Sequence, residues 1–348
     1  MQRKVYIDFL KVIAIFLVLF MHTNAYGFVL FTQRRDSVLY PVYLTASVLT
    51  KVAVPLFFMT SGALLLKREE EIKQILKKRF LRYLISLLVF SSIVYLYKFA
   101  RGRGDLSLSS FAVGVYEGKI DIHFWYLYMY LSYILTLPFL RILAKNMRPR
   151  EYRWLFILYI IISCKPIFEF FVCDGKASLS HNINLFTSLN YVAYPLIGYF
   201  IDNAEVEEKN VVKWIALGAL SVAITALLTH CKCVVTTSWD ESSCQTFYTS
   251  LIIIPAGSIF YTSKWLFVRF GDRINERTKQ LIAALGGLTF GIYLLEYVYR
   301  DMTMRIFFLM EPFVGSFIAC VIWILISCIY GGAVTYTLKN IPLIKELL

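Results

Sequence analysis

The sequence predicts an all-α polytopic membrane protein: a bundle of about ten transmembrane helices with both termini cytoplasmic. Three observations predict it. Of 348 residues, 58% are apolar and 17% charged, with a mean hydropathy of +0.63; soluble domains carry about 25% charged residues. The apolar residues gather into long runs, and the basic residues favour alternate loops. This composition excludes a disordered chain, a disulfide-scaffold peptide and an ordinary soluble domain. The 36 Lys and Arg against 23 Asp and Glu leave a net charge of +13. In a membrane protein that excess suits cytoplasmic loops facing anionic lipid, so membrane lipid, and no nucleic acid, is the expected partner.

A helix needs about 20 apolar residues to cross roughly 30 Å of hydrocarbon. Ten runs approach that length, at 6–30, 41–66, 80–100, 123–140, 154–171, 183–201, 212–230, 247–268, 281–299 and 313–338. The polar segments between them are too short for a soluble domain, so 1–348 reads as a single integral membrane domain. No internal repeat or β-barrel alternation is visible. The first run is too long for a signal peptide and lacks a small-residue cleavage site, so it is expected to stay in the mature protein.

Loop charge orients the bundle. With the N-terminus inside, the inner segments hold 22 Lys and Arg, seven of them between Lys67 and Arg82, and the outer segments hold 9. Lys11, Lys51, Lys98, Lys165 and Lys264 fall within or at the edges of spans. Of the seven Cys, Cys164, Cys320 and Cys328 sit in apolar runs and read as core residues. Cys231, Cys233 and Cys244 share one outer loop that could hold a disulfide, and Cys173 lies in another. No metal site is expected, because His230 alone stands near the Cys-x-Cys.

An ionisable residue inside a span is costly and therefore a functional candidate. The first span holds Asp8, Lys11 and His22. At 100° per residue, Lys11 and His22 are about 20° from eclipsed and about 16.5 Å apart along the axis. Asp8 lies on the same face, about 40° away. Lys11 belongs near the cytoplasmic boundary and His22 in the outer half. A low cation and a high imidazole on one face suit a molecule threaded up from the cytoplasm. Asp8 and Lys11 could equally be a simple i,i+3 pair at the membrane edge.

Ile7-Asp8-Phe9-Leu10-Lys11-Val12-Ile13-Ala14, followed by an apolar run to Phe20-Met21-His22, resembles the opening helix of the acyltransferase-3 family, in which Arg or Lys precedes His by ten intervening residues. Further likenesses follow in order. Val54-Pro55-Leu56-Phe57-Phe58-Met59-Thr60-Ser61-Gly62 is similar to the family's second-span motif, and Lys78-Arg79-Phe80-Leu81-Arg82 to its basic third-span entry. His123-Phe124-Trp125-Tyr126-Leu127 is similar to its fourth-span Trp motif, and Thr289-Phe290-Gly291-Ile292-Tyr293-Leu294-Leu295 to its late-span motif. The family commonly places a His after that last run; here the position is Glu296.

The resemblance implies a bacterial inner-membrane O-acyltransferase. It would move an acyl group, usually acetyl, from cytoplasmic acetyl-CoA or another acyl-CoA to a hydroxyl of a cell-envelope or lipid-linked carbohydrate. The residue chemistry agrees. An alcohol is a poor nucleophile at neutral pH and needs a positioned base, for which His22 is the candidate. Glu296, at a similar depth, could hold the imidazole as a triad carboxylate does, or could pair with Arg300 at i+4. Asp8 completes the candidate catalytic set. Lys11, Arg79 and Arg82 are placed low and suit coenzyme A phosphates. Ser61, Tyr126 and Lys51 are candidate oxyanion donors, with Lys51 also a pocket-lining residue.

Trp125 reads as part of an interfacial aromatic belt, with an aromatic wall for a sugar ring as the sharper reading. Ser61-Gly62 suggests close helix packing. Lys165 and Glu169 read as a structural pair beside Pro166, and His123, His181 and His230 as solvated loop-edge residues. The competing function is a transporter or flippase for a polysaccharide or lipid-linked sugar, which buried charges and Pro-interrupted helices also suit. A transporter would move glycan without consuming thioester.

Overall fold

The computed structural model describes residues 3–180, 183, 185 and 189–348. His181 lies outside the described residues. The described residues form helices and connecting turns, with no strand among them. The long elements are α1 (Val5–Met21), α2 (Tyr40–Thr50), α3 (Ala53–Leu65), α4 (Leu81–Ala100), α5 (Trp125–Asn146), α6 (Pro149–Ser163), α7 (Lys165–Phe171), α8 (Asn190–Asn203), α9 (Glu208–Thr236), α10 (Ile253–Phe270), α11 (Glu276–Leu294), α12 (Glu296–Val314) and α13 (Ser316–Leu338).

Six helical runs among the described residues are long and apolar enough to cross a membrane: Tyr40–Leu65, Ile72–Ala100, Ile122–Asn146, Pro149–Phe171, Glu208–Thr236 and Ser316–Leu338. A seventh is the pair α11 and α12 taken together, which bends by 93° at Leu295. The chain is thus an all-helical, multi-pass membrane protein. Three helices at runs expected to span fall outside that group: α1 has 17 residues, α8 has 14 and α10 has 18. The 281–299 run is not one straight helix, because it contains the α11–α12 bend. Likewise the 6–30 run is one continuous α-helix only to Met21, after which a turn built on Thr23 leads into a 3₁₀ turn at Asn24–Tyr26. Thr23 donates to the Phe20 carbonyl at 2.7 Å and accepts from the Phe28 amide at 2.9 Å.

Short central helices sit among longer apolar ones. α3 packs most extensively on α8, and α1 packs on α3, α10, α11 and α13. Two glycines set the α3–α8 approach: a Cβ on Gly62 would collide with the Pro195 carbonyl, and one on Gly198 with the Met59 carbonyl. Close backbone approach of this kind is how helices associate where lipid removes the hydrophobic drive between them. The Ser61-Gly62 expectation holds in that respect.

Breaks occur where proline or charge favours them. Pro55 lies in the first turn of α3, where its missing N–H costs nothing because first-turn donors have no partner within the helix. Pro166 opens α7 after Cys164 in the same way, and Lys165 and Glu169 stand 3.6 Å apart beside that break, as the spacing suggested. Two span-embedded lysines also find roles. Lys264 caps the end of α8 through the Ile201, Asp202 and Ala204 carbonyls at 3.1, 2.9 and 2.5 Å. Lys98 pairs with Asp121 at 2.7 Å.

Candidate active site

α1 ends at Met21, so His22 stands on the first non-helical residue, where its ring can leave the helix face. Glu296 stands on the first residue of α12, and the 93° bend at Leu295 swings it against the end of α1. His22 Nδ1 and Glu296 Oε2 are 3.3 Å apart, without an aligned hydrogen bond. The Arg300 Nε donates to Glu296 Oε1, and its Nη1 donates to the His22 carbonyl at 3.2 Å. The i+4 pairing of Glu296 with Arg300 is thus present, and the same carboxylate lies beside the His22 ring. Glu296 is 1% exposed. A buried carboxylate survives there because Arg300 pairs with it and the amide-rich start of α12 faces it.

His22 lies on the wall shared by two cavities. The first, of about 270 Å³, runs along α1 and is lined by Lys11, His22, Ser61, Arg82, Trp125 and Tyr126. The second, of about 330 Å³, lies at the other side of His22 and is lined by His22, Lys51, His123, Trp125, Glu241 and Gln245, among others. His123 also borders the first cavity. Each cavity is of a size that holds part of a small ligand.

The structure brings six of the expected residues to the first cavity, sets Glu296 behind His22, places Lys51 in the second cavity and leaves Asp8 and Arg79 outside both. Ser61 Oγ donates to the Tyr130 hydroxyl at 3.3 Å. The Tyr126 ring packs against Phe58 and Tyr293, with centroids 5.2 and 5.6 Å away. Trp125 lines both cavities and is also partly exposed. Lys51 belongs to the second cavity, where the α2–α3 break holds it against Gln245 Oε1 at 2.6 Å and over the Phe28 ring at 4.9 Å.

Asp8 lines neither cavity. It lies about 21 Å along α1 from His22, held by Arg3 at 2.6 Å and Lys11 at 3.4 Å and packed beneath Gly286. Its contacts are those of the membrane-edge pair. Arg79 also stays out of the cavity wall, because Glu70 grips it with two bonds of 2.8 and 2.5 Å. A π-helical turn over Ile75–Phe80 precedes α4 and changes the register, so Arg79 and Arg82 face different surroundings. Arg82 has no carboxylate partner among the described residues, and its buried Nε is unpaired.

Sequence reasoning misread two histidines. His123 is 2% exposed, not solvated, and its Nδ1 is 2.6 Å from Asp121 Oδ1. His230 is partly buried and its Nδ1 bonds the Tyr40 hydroxyl at 2.7 Å. The signal for His123 was available: an Asp two residues earlier is well placed to cap its turn, and Lys98 needed an acidic partner. Among the described residues no cluster of His, Cys, Asp and Glu has the arrangement of a metal site.

Lys11 and His22 of the first-span motif, Trp125 and Tyr126 of the Trp motif, and Thr289, Phe290 and Tyr293 of the α11 motif all line the first cavity. The family described as an acyltransferase domain, Acyl_transf_3, matches residues 4–332. The chain belongs to the acyltransferase-3 family. This acyltransferase-3 match takes in α1 and the bend at Leu295 and extends into α13. No curated protein and no solved structure matches the chain.

Proposed function

We propose that this acyltransferase moves an acyl group, acetyl foremost, from acyl-CoA to a hydroxyl of a cell-envelope or lipid-linked carbohydrate. The setting is the bacterial cytoplasmic membrane, with the N-terminal end of α1 facing the cytoplasm. The observation that carries the reading is the paired cavity: two cations, Lys11 beside Asp8 and Arg82 with no carboxylate partner among the described residues, border one side, His22 stands at the shared wall, and a polar chamber continues beyond it.

The donor enters the first cavity with its phosphates on Lys11 and Arg82. The roughly 16.5 Å from Lys11 to His22 along α1 is comparable to an extended pantetheine arm. The acceptor occupies the second cavity. His22 takes the hydroxyl proton as that oxygen attacks the thioester carbon. The tetrahedral intermediate collapses, the C–S bond breaks, and the thiolate leaves and recovers a proton from the imidazolium. Glu296 holds the imidazole in orientation while it is charged, and Arg300 holds Glu296. The Tyr126 hydroxyl, with no hydrogen-bond partner among the described residues, is the most available oxyanion donor of the three considered, since Ser61 is engaged with Tyr130 and Lys51 with Gln245.

The test is binding and hydrolysis of labelled acetyl-CoA by the purified protein in detergent, wild type beside His22→Ala. Saturable binding with turnover lost in the variant supports donor and base together. Folded wild-type protein that binds no acetyl-CoA overturns the reading in favour of transport.

A further inference from the structure

His123 carries a second imidazole relay at the wall where the two cavities meet. Asp121 Oδ2 is 2.7 Å from Lys98 Nζ, an ion pair that keeps the carboxylate an acceptor. Asp121 Oδ1 receives the His123 amide at 3.2 Å and lies 2.6 Å from Nδ1. Nδ1 is therefore the donor, since a carboxylate only accepts, and Nε2 is the ring nitrogen left to pair with a ligand hydroxyl, accepting when it carries no proton. That Nε2 is buried and has no hydrogen-bond partner among the described residues. The ring is held in place: Asp121 binds its Nδ1, and the Phe124 and Tyr293 rings pack on it with centroids 4.0 and 5.8 Å away. A buried acceptor held without a partner is costly, and a ligand bringing an O–H relieves it.

The geometry points to His123 as a second hydroxyl-binding residue, which anchors the hydroxyl next to the one that reacts at His22. The acceptor class is then a polyol with neighbouring hydroxyls, such as a sugar ring, in preference to an isolated alcohol. The inference rests on the acyl-transfer reading above and assigns within it a specificity role that His22 alone does not supply. A site built to pair a hydroxyl rejects an analogue lacking it, because the site's own polar atom is left bare.

The experiment measures ester formation from acetyl-CoA by the full-length protein in detergent, with cyclohexanol and cis-1,2-cyclohexanediol as probes. Wild type is expected to favour the diol in kcat/KM by about ten-fold or more, beyond the statistical factor of about two. His123→Phe, which keeps ring bulk without the acceptor, brings the ratio to about two while cyclohexanol is still acetylated. His123→Gln, whose amide oxygen reaches toward the Nε2 position, restores part of the preference. A wild-type ratio of about two overturns the inference, and that readout needs no variant to fold. So does a His123→Phe protein that loses both reactions equally, which marks a scaffold or a second base. Absence of acetyl-CoA-dependent ester and of acetyl-CoA hydrolysis in wild type overturns instead the acyl-transfer reading beneath it.

Discussion

His22 Nδ1 and Glu296 Oε2 meet at 3.3 Å because α1 ends and α12 begins at the same place, with Arg300 bound to both residues. The imidazole sits at the carbonyl end of one helix and the carboxylate at the amide end of the other. Each helix terminus favours the charge that its residue carries during proton transfer. Glu296→Gln keeps the shape and removes the charge. Turnover of acetyl-CoA is expected to fall by about 10²-fold, with donor KM little changed, because only the charged intermediate loses support. A turnover equal to wild type would remove Glu296 from the mechanism and leave it as Arg300's structural partner.

Arg79 and Arg82 lie three positions apart, and of the two only Arg79 has a carboxylate partner among the described residues. Arg82→Ala is expected to weaken acetyl-CoA binding about ten-fold, read as the Kd of the labelled donor, because a phosphate loses its guanidinium. Arg79→Ala is expected to leave that Kd within about two-fold while lowering thermal stability, since Glu70 then holds only Arg141, at 2.7 Å. The reverse pattern would place Arg79, not Arg82, on the donor.

Glu70 lies in the turn between α3 and the Ile72–Ala100 run, outside the spans. The Arg79 hydrogen bonds, with help from Arg141, hold its carboxyl below the usual value, at about 2. The unfolded chain titrates higher, near 4.5, so it binds protons first as the pH falls. The stabilisation is fully present above that value and is lost between it and about 2. The melting-temperature gap between wild type and Glu70→Gln, measured across this window, is expected to narrow as the pH falls. A gap that stays constant would contradict the ion pair's part in stability.

Cys233 and Cys244 are buried with their sulfurs 3.0 Å apart, at the end of α9 and in the short helix Glu241–Cys244. They are expected to close to a disulfide under mild oxidation, protecting two of the seven thiols from alkylation as counted by intact mass. Cys231 is expected to stay reactive. Protection of Cys231 instead would show a different pairing among the three cysteines, two of which lie on α9 where the sequence reading expected an outer loop.

The helical, membrane-embedded class was legible in the sequence because it rests on composition and run length, which hydrocarbon thickness constrains directly. The Lys11–His22 register was legible too, since both lie on one helix with a fixed pitch. Family membership followed from motifs in order. The partners of Lys98, Arg79 and His123 were not legible, because each partner comes from a turn or a neighbouring helix whose approach depends on packing. A π-helical turn moved Arg79 onto Glu70, and the break at Leu295 carried Glu296 to His22 more directly than a straight helix would. Local periodicity decided which residues share a face. Only the tertiary structure decided which faces meet, because helix ends, bends and glycine contacts bring together charges that lie far apart along the chain.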